Sequence, residues 1–314
     1  MAIKVGYYIK RFGYNLLPRF YFKKRYHQLK RMEKSVPQTE LNERLNYYCK
    51  ITTSFPIPQS AVAVKDFNRS GKKTNYYLDF KEFLHYFKPH TQFSYHFGDE
   101  TFVKPFPVLF KARPINDTNS NSVLFKLNKE RHFKWVNDDL PFIDKKNMLV
   151  WRGGAYQPIR KAFVKQFYTH SQMDVGQVNH PIEDVPWQKK FLSIEEQLRY
   201  KFIFCPEGND VATNLKWVMS SNSLAIMPKP TKETWFMEGT LKAGIHYVEV
   251  KNDFSDLEEK MNYYSAHPEK ANDIIAHAHA YVKQFMNKDF EDLLCLKVLE
   301  KYAELTGQSG VLRF

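Results

Sequence analysis

An α/β fold with a parallel sheet is what this sequence predicts for its second half, and three observations carry the prediction. From about residue 148 short apolar runs alternate with helical patterns. Two of those runs end in polar, glycine-containing turns that lead straight into a helix. No internal repeat or low-complexity tract points to a solenoid or a fibrous chain.

In order along the chain, residues 1–35 form a basic, aromatic segment whose first acidic residue is Glu33. Pro18 divides it into two helices, because proline lacks an N–H and clashes with the preceding turn. Residues 36–147 mix short apolar runs with turn residues, the pattern of an irregular α/β domain. Within it, FKPHTQFSYHFGDE is an extended segment that ends in a turn at Gly98 and Asp99, and NDTNSNS (116–122) is a loop before the apolar SVLFKL stretch.

The second domain spans 148–285. MLVW (148–151) is a buried strand, and a helix starts near Pro158, a residue suited to a first turn. YKFIFC (200–205) is the next strand, after which PEGNDVAT leads into a helix ending near Ser221. SLAIM (223–227) and HYVEV (246–250) are further strands. Ser255 and Glu258 have the spacing of a capping box, and residues 268–305 are two long helices, so that 286–314 form a C-terminal helix and tail.

Composition narrows the function classes. A chain of 314 residues, 43% hydrophobic and 26% charged, is long enough for two cored domains and too apolar for disorder. Cys49, Cys205 and Cys295 are too scattered for a disulfide framework or a metal-ligand spacing, which favours a reducing compartment. No apolar run reaches the roughly 18 to 20 residues a membrane span needs. Lys4, Lys10 and Arg11 interrupt any secretory core, so a cytoplasmic location is expected.

The net charge of +13 favours an anionic partner. Residues 1–35 suit an anionic membrane interface, with rings at headgroup depth and Lys and Arg among phosphates. They equally suit a basic helical hairpin packed on the body of the protein. Nucleic acid is not expected as a partner, since no RNA- or DNA-binding signature is present.

Two strand-to-helix turns carry the chemistry. The first is Trp151-Arg152-Gly153-Gly154, followed by Pro158 and Arg160. Paired glycines let a ligand approach the backbone, and Arg152 and Arg160 are suited to a diphosphate through forked, charge-assisted hydrogen bonds. The second runs from Pro206 through Glu207, Gly208, Asn209, Thr213 and Asn214 to Lys216. Free N–H groups at a helix start bind phosphate, and Glu207 or Asn214 suits ribose and base. Neither turn is G-x-x-x-x-G-K-[ST] or G-x-G-x-x-G, and both also fit ordinary loops of an α/β domain.

The run W-R-G, with proline six and arginine eight residues after Arg152, resembles the signature of glycosyltransferase family 90. That family includes protein O-glucosyltransferases, fungal capsule xylosyltransferases and bacterial lipopolysaccharide A proteins. YKFIFCPEGNDVATNLKWVMSSNSLAIM and WFMEGTLKAGIHYVEVKNDFSDLEEK are similar to the family's nucleotide-binding half, and the resemblance covers about residues 95–285. The form G-N-D-V-A-T-N-L-K looks most like the bacterial lipopolysaccharide branch. Eukaryotic members carry a diphosphate-contacting arginine in the second turn. Asn214 stands at that position here, with Lys216 two residues on.

The resemblance implies a GT-B-like architecture of two Rossmann-like domains with a cleft between them, and UDP-glucose or UDP-galactose as donor. It implies Asp99, in His96-Phe97-Gly98-Asp99-Glu100, as the general base of an inverting transfer to an inner-core heptose of lipopolysaccharide. A Gly-Asp pair is also a common turn former, and Glu100 is the nearest rival base. Arg113 and Arg131 are candidate contacts to the donor or to a phosphorylated acceptor, or part of a solvated basic face.

No metal or other cofactor is expected. There is no D-x-D pair, Asp138 and Asp139 sit in a polar loop, and His277 and His279 fall on different faces of a helix. Work at the cytoplasmic face of the inner membrane follows as the expected location. Transfer to capsule or another surface glycan is the alternative within the enzyme class, and a non-enzymatic basic adaptor acting through residues 1–35 is the alternative outside it.

Overall fold

The structure, a computed structural model, describes residues 2–14 and 16–314; Met1 and Asn15 lie outside the described residues, as do the side chains of residues 2–5 and of residue 10, so the cations read at Lys4 and Lys10 cannot be followed. The chain is mixed α/β with parallel sheets and divides into two compact units, residues 1–131 with 285–314, and residues 132–284.

The first unit opens with α1 (Ala2–Tyr14) and α2 (Arg19–Ser35), separated at Pro18 as proline chemistry requires. α2 turns Phe22, Tyr26 and Leu29 inward at helical spacing. α3 (Gln38–Tyr48) and α4 (Thr74–Leu84) follow, neither of them legible in the irregular-looking sequence. A three-stranded sheet of β1 (Tyr95–His96), β2 (Val108–Phe110) and β3 (Ser122–Leu124) is parallel throughout, in the order β1-β2-β3. α4 packs beside α1 and is pinned to it by buried charge. Tyr7 Oη donates to Asp79 at 2.6 Å, and Arg11 pairs with Glu82.

The second unit is built on five parallel strands: β4 (Lys146–Gly153), β5 (Met173–Gln177), β6 (Tyr200–Phe204), β7 (Leu224–Met227) and β8 (Val248–Glu249). Their order is β8-β7-β6-β4-β5. Counted from the first strand of this sheet, that is 2-1-3-4-5, the flavodoxin-like doubly wound order. Leu149, Val150, Phe202, Ile203 and Ile226 are fully buried, as expected of a parallel sheet covered on both faces. α5 (Pro158–Phe167), with proline in its first turn, sets Phe163 against Phe204 with ring centroids 3.7 Å apart. α6 (Leu257–Ala266) and α7 (Pro268–Lys283) complete this unit. α8 (Lys288–Leu305) belongs to the first unit, where it packs on α2 and α3.

Several elements differ from expectation. The Ser255–Glu258 capping box does not form. Phe254 takes a left-handed φ of 61°, the Ser255 N–H donates to Asp253, and α6 begins only after Asp256. A capping box is found instead at Ser193 and Glu196. The helix expected up to Ser221 is one turn, Leu215–Val218. Only Val248 and Glu249 of HYVEV pair as strand, because Tyr247 O accepts the Gly244 N–H in a turn. β5, with Asp174 and Gly176 in five residues, has a composition disfavoured in strands and was not among the expected strands. Cys49, Cys205 and Cys295 are all free and buried.

Candidate active site

In the first unit, parallel pairing decides what surrounds Asp99. His96 is in register with Phe110, so the residues after β1 and β2 emerge at the same sheet end. Lys111 follows β2 there, and its Nζ donates to Asp99 Oδ1 at 2.5 Å. From α4, Tyr76 Oη donates to the same oxygen at 2.6 Å and contacts Gly98 O at 3.2 Å. Arg131 Nη1 lies 4.0 Å from Asp99 Oδ2.

Burial by itself would raise the Asp99 pKa. The Lys111 charge and hydrogen bond, the Tyr76 hydroxyl and Arg131 outweigh it and hold the carboxyl down to about 2. Asp99 is therefore ionised at neutral pH and able to accept a hydroxyl proton. Glu100 is set differently: it is more than half exposed, and its Oε2 lies 3.0 Å from His96 Nε2. Tyr76 was not legible as a partner, because it stands 23 residues before Asp99 on a separate helix.

The second unit brings the two sequence-marked turns together. They follow β4 and β6, which are neighbours in the sheet although β5 lies between them in sequence. In this strand order that is the position of the topological switch point, beside which doubly wound sheets generally bind their ligands. Arg160, in the first turn of α5, bridges them by donating to Pro206 O and Glu207 O at 3.0 Å each and to Gly154 O at 3.3 Å. Gly208 permits that approach, since a Cβ there would stand 2.9 Å from Arg160 Nη2. Among the described residues, the backbone N–H groups of Val211, Ala212, Thr213 and Asn214 have no acceptor. A run of bare amides at a strand end is an anion-binding feature.

Other predicted residues have structural roles. Arg152 leaves β4 but turns back to β5, donating to Asp174 Oδ1 at 2.6 Å, Asp174 O at 2.7 Å and Lys190 O at 3.1 Å. Gly153 is the last residue of β4, paired with Gln177. Glu207 accepts from the Thr231 and Lys232 amides and the Thr231 hydroxyl, fixing the loop after β7. Asn209 Oδ1 accepts from Gln157, and Asn214 Nδ2 donates to Phe204 O, closing the end of β6.

Two expectations are corrected. Lys216 is fully buried and paired with the equally buried Glu238, so it does not face a ligand. Arg113 is likewise fully buried, its guanidinium donating to the carbonyls of Tyr47, Tyr48 and Ser122, so it anchors α3 rather than a substrate. Asp138, read as a loop residue, pairs with Lys145 and accepts from the Asn222 amide, while Asp139 accepts from Asn137. Among the described residues there is no cluster of three or more His, Cys, Asp or Glu side chains placed to hold a metal ion.

Sheet order defines the class first: a mixed α/β protein whose second unit has the doubly wound strand order. Comparison with known proteins then gives the family. The model of glycosyl transferase family 90 matches residues 125–310. The chain is 41% identical over 305 residues to O-glucosyltransferase LpsA of Dichelobacter nodosus, with 96% of each chain covered. It is also 34% identical over 105 residues to uncharacterized protein 179R of Invertebrate iridescent virus 6, covering 31% of this chain and 9% of that one. The chain belongs to glycosyltransferase family 90, in its LpsA branch, and is a glycosyltransferase.

Proposed function

We propose that this glycosyltransferase moves a hexose from a UDP-sugar to an inner-core sugar of lipopolysaccharide, a heptose, with inversion at the anomeric carbon. Glucose is the first donor to test, supported by the O-glucosyltransferase name of the LpsA relative, and galactose the second. The observation that carries the donor site is the juxtaposition of the two turns at the switch point, with bare amides at Val211–Asn214 and Arg160 beside them. Arg160 and those amides would stabilise the leaving diphosphate, with Thr213 and Asn209 at its margin.

Asp99 is the base. A carboxylate with a pKa of about 2 is weakly basic, so proton transfer comes late, once bonding to the electron-poor anomeric carbon has made the attacking hydroxyl strongly acidic. Arg131, beside Asp99, is the remaining candidate contact for a phosphorylated acceptor. The architecture we infer is GT-B-like, supported by a parallel sheet in each unit. Transfer needs no metal in this account, and the enzyme works peripherally on the cytoplasmic face of the inner membrane.

Calorimetry with UDP, then product analysis with UDP-glucose and a truncated core acceptor in EDTA, tests these statements. Binding of UDP and transfer undiminished by the chelator are expected. Loss of transfer in EDTA with recovery on added Mn²⁺ would replace the metal-free mechanism, and absence of UDP binding would move the donor site elsewhere.

A further inference from the structure

The N-terminal helices are neither a detached anchor nor simply a packed hairpin. Their inner face is fixed: Phe22, Tyr26 and Leu29 are buried, Arg25 pairs with Asp289 and Asp292 at 2.7 Å, and Lys30 pairs with Glu300 at 3.0 Å. Their outer face carries Phe20, Lys23, Lys24, His27, Arg31 and Lys34, all exposed, with Lys23 and Lys24 adjacent and the others three or four residues apart along α2. Leu16, in the turn before α2, is 86% exposed, Phe20 in the first turn of α2 72%, and Ile9 on α1 68%. Large apolar side chains this bare, beside a stripe of cations, are not a solvated surface of ordinary kind.

The C-terminal tail adds to the stripe. Arg19, Phe20, Lys23, His27, Arg313 and Phe314 line a groove of about 640 Å³, and none of the six is acidic. Arg19 and Arg313 stand near enough that the charge of one, after burial, lowers the pKa of the other. An anion between them relieves that repulsion. A second depression of about 610 Å³ is lined by Lys24, His27, Lys30, Arg31 and Lys34.

We propose that this face, the α1–α2 turn with the outer stripe of α2 and the groove against Arg313, docks on an anionic lipid bilayer, with Leu16 and Phe20 entering the interface and the Arg19–Lys23–Arg313 groove taking a lipid phosphate. The proposal rests on the membrane-surface reading given above and assigns it to particular side chains. Charge complementarity and the apolar tip together select a bilayer. A nucleic-acid backbone matches the cations but offers nothing to an exposed leucine. The docking face lies in the unit that carries Asp99, so a lipid-anchored acceptor and the base would be brought to the same unit.

The test is flotation of the full-length protein with vesicles of phosphatidylglycerol in phosphatidylcholine, against phosphatidylcholine alone. Wild type is expected to float with the anionic vesicles only. The triple variant Lys23→Glu, Arg31→Glu, Lys34→Glu is expected to partition on the order of 100-fold more weakly. Leu16→Ser with Phe20→Ser, which leaves the charge unchanged, is expected to weaken partition at least about 10-fold. Lys251→Glu with Lys270→Glu, at exposed positions of the other unit, should float like wild type. All variants should transfer sugar to a soluble truncated acceptor at the wild-type rate, which checks folding.

Failure of wild type to float on either vesicle overturns the membrane reading as a whole. Flotation that both the triple and the Leu16/Phe20 variants retain overturns this face alone. Single-stranded RNA that displaces the protein from vesicles and binds the Leu16/Phe20 variant as tightly as wild type would make nucleic acid the partner and overturn the proposal.

Discussion

At Asp99 one carboxylate is held by a lysine and a tyrosine on the same oxygen, with an arginine facing the other. A carboxyl whose folded pKa is depressed adds stability above its unfolded value near 4. That contribution is lost as pH falls toward the folded value of about 2. Tyr76→Phe removes one hydrogen bond to the charged form, so the Asp99 pKa should rise toward the ordinary carboxylate range, and the stability lost on acidification below about pH 4 should become smaller and be complete at higher pH. NMR titration of Asp99 and acid unfolding of the variant measure this. An unmoved pKa would mean that the tyrosine does not hold the carboxylate in solution. The family resemblance pointed to Asp99, but the setting of its carboxylate depends on strand register and on a helix begun 25 residues earlier, neither of which the local sequence encodes.

Among the elements, those marked by strong local chemistry were legible and those fixed by tertiary contacts were not. Pro18 and Pro158 placed helix boundaries correctly because a missing N–H acts within one turn. The apolar runs of β4, β6 and β7 were visible because strands covered on both faces must be continuously hydrophobic. β5 escaped notice because its pairing with β4, rather than its own composition, makes it a strand. The two strand-to-helix turns were legible as positions, but not the fates of their side chains.

Lys216 is the clearest case. Its partner Glu238 also accepts from the Thr234 amide and hydroxyl, so removing the lysine strands a buried carboxylate. Lys216→Ala should cost about 3–5 kcal/mol of stability in urea unfolding. The pair of changes Lys216→Met and Glu238→Gln should recover much of it, since no uncompensated charge remains. A stable Lys216→Ala protein with weakened UDP affinity would instead return Lys216 to the donor site.

For the whole molecule, family membership makes the chain a glycosyltransferase; of the proposed site residues, Asp99 lies in one unit and the two strand-to-helix turns in the other. The net charge of +13 suits the two anionic partners proposed above, a diphosphate at the turns and a membrane surface at α2. Composition announced that charge without saying where it acts. Arg113 and Lys216 are buried in structural roles, whereas the cations of the α2 stripe face outward. The central claim is that Asp99 takes the acceptor proton, and Asp99→Asn tests it most directly. The amide keeps the side-chain shape and can still form a turn, but it cannot accept a proton at neutral pH. Transfer rate from UDP-glucose and donor affinity, measured on the same folded sample, should show a rate about 10²- to 10⁴-fold below wild type with affinity unchanged. A rate within a few-fold of wild type would contradict the account and transfer the role to Glu100.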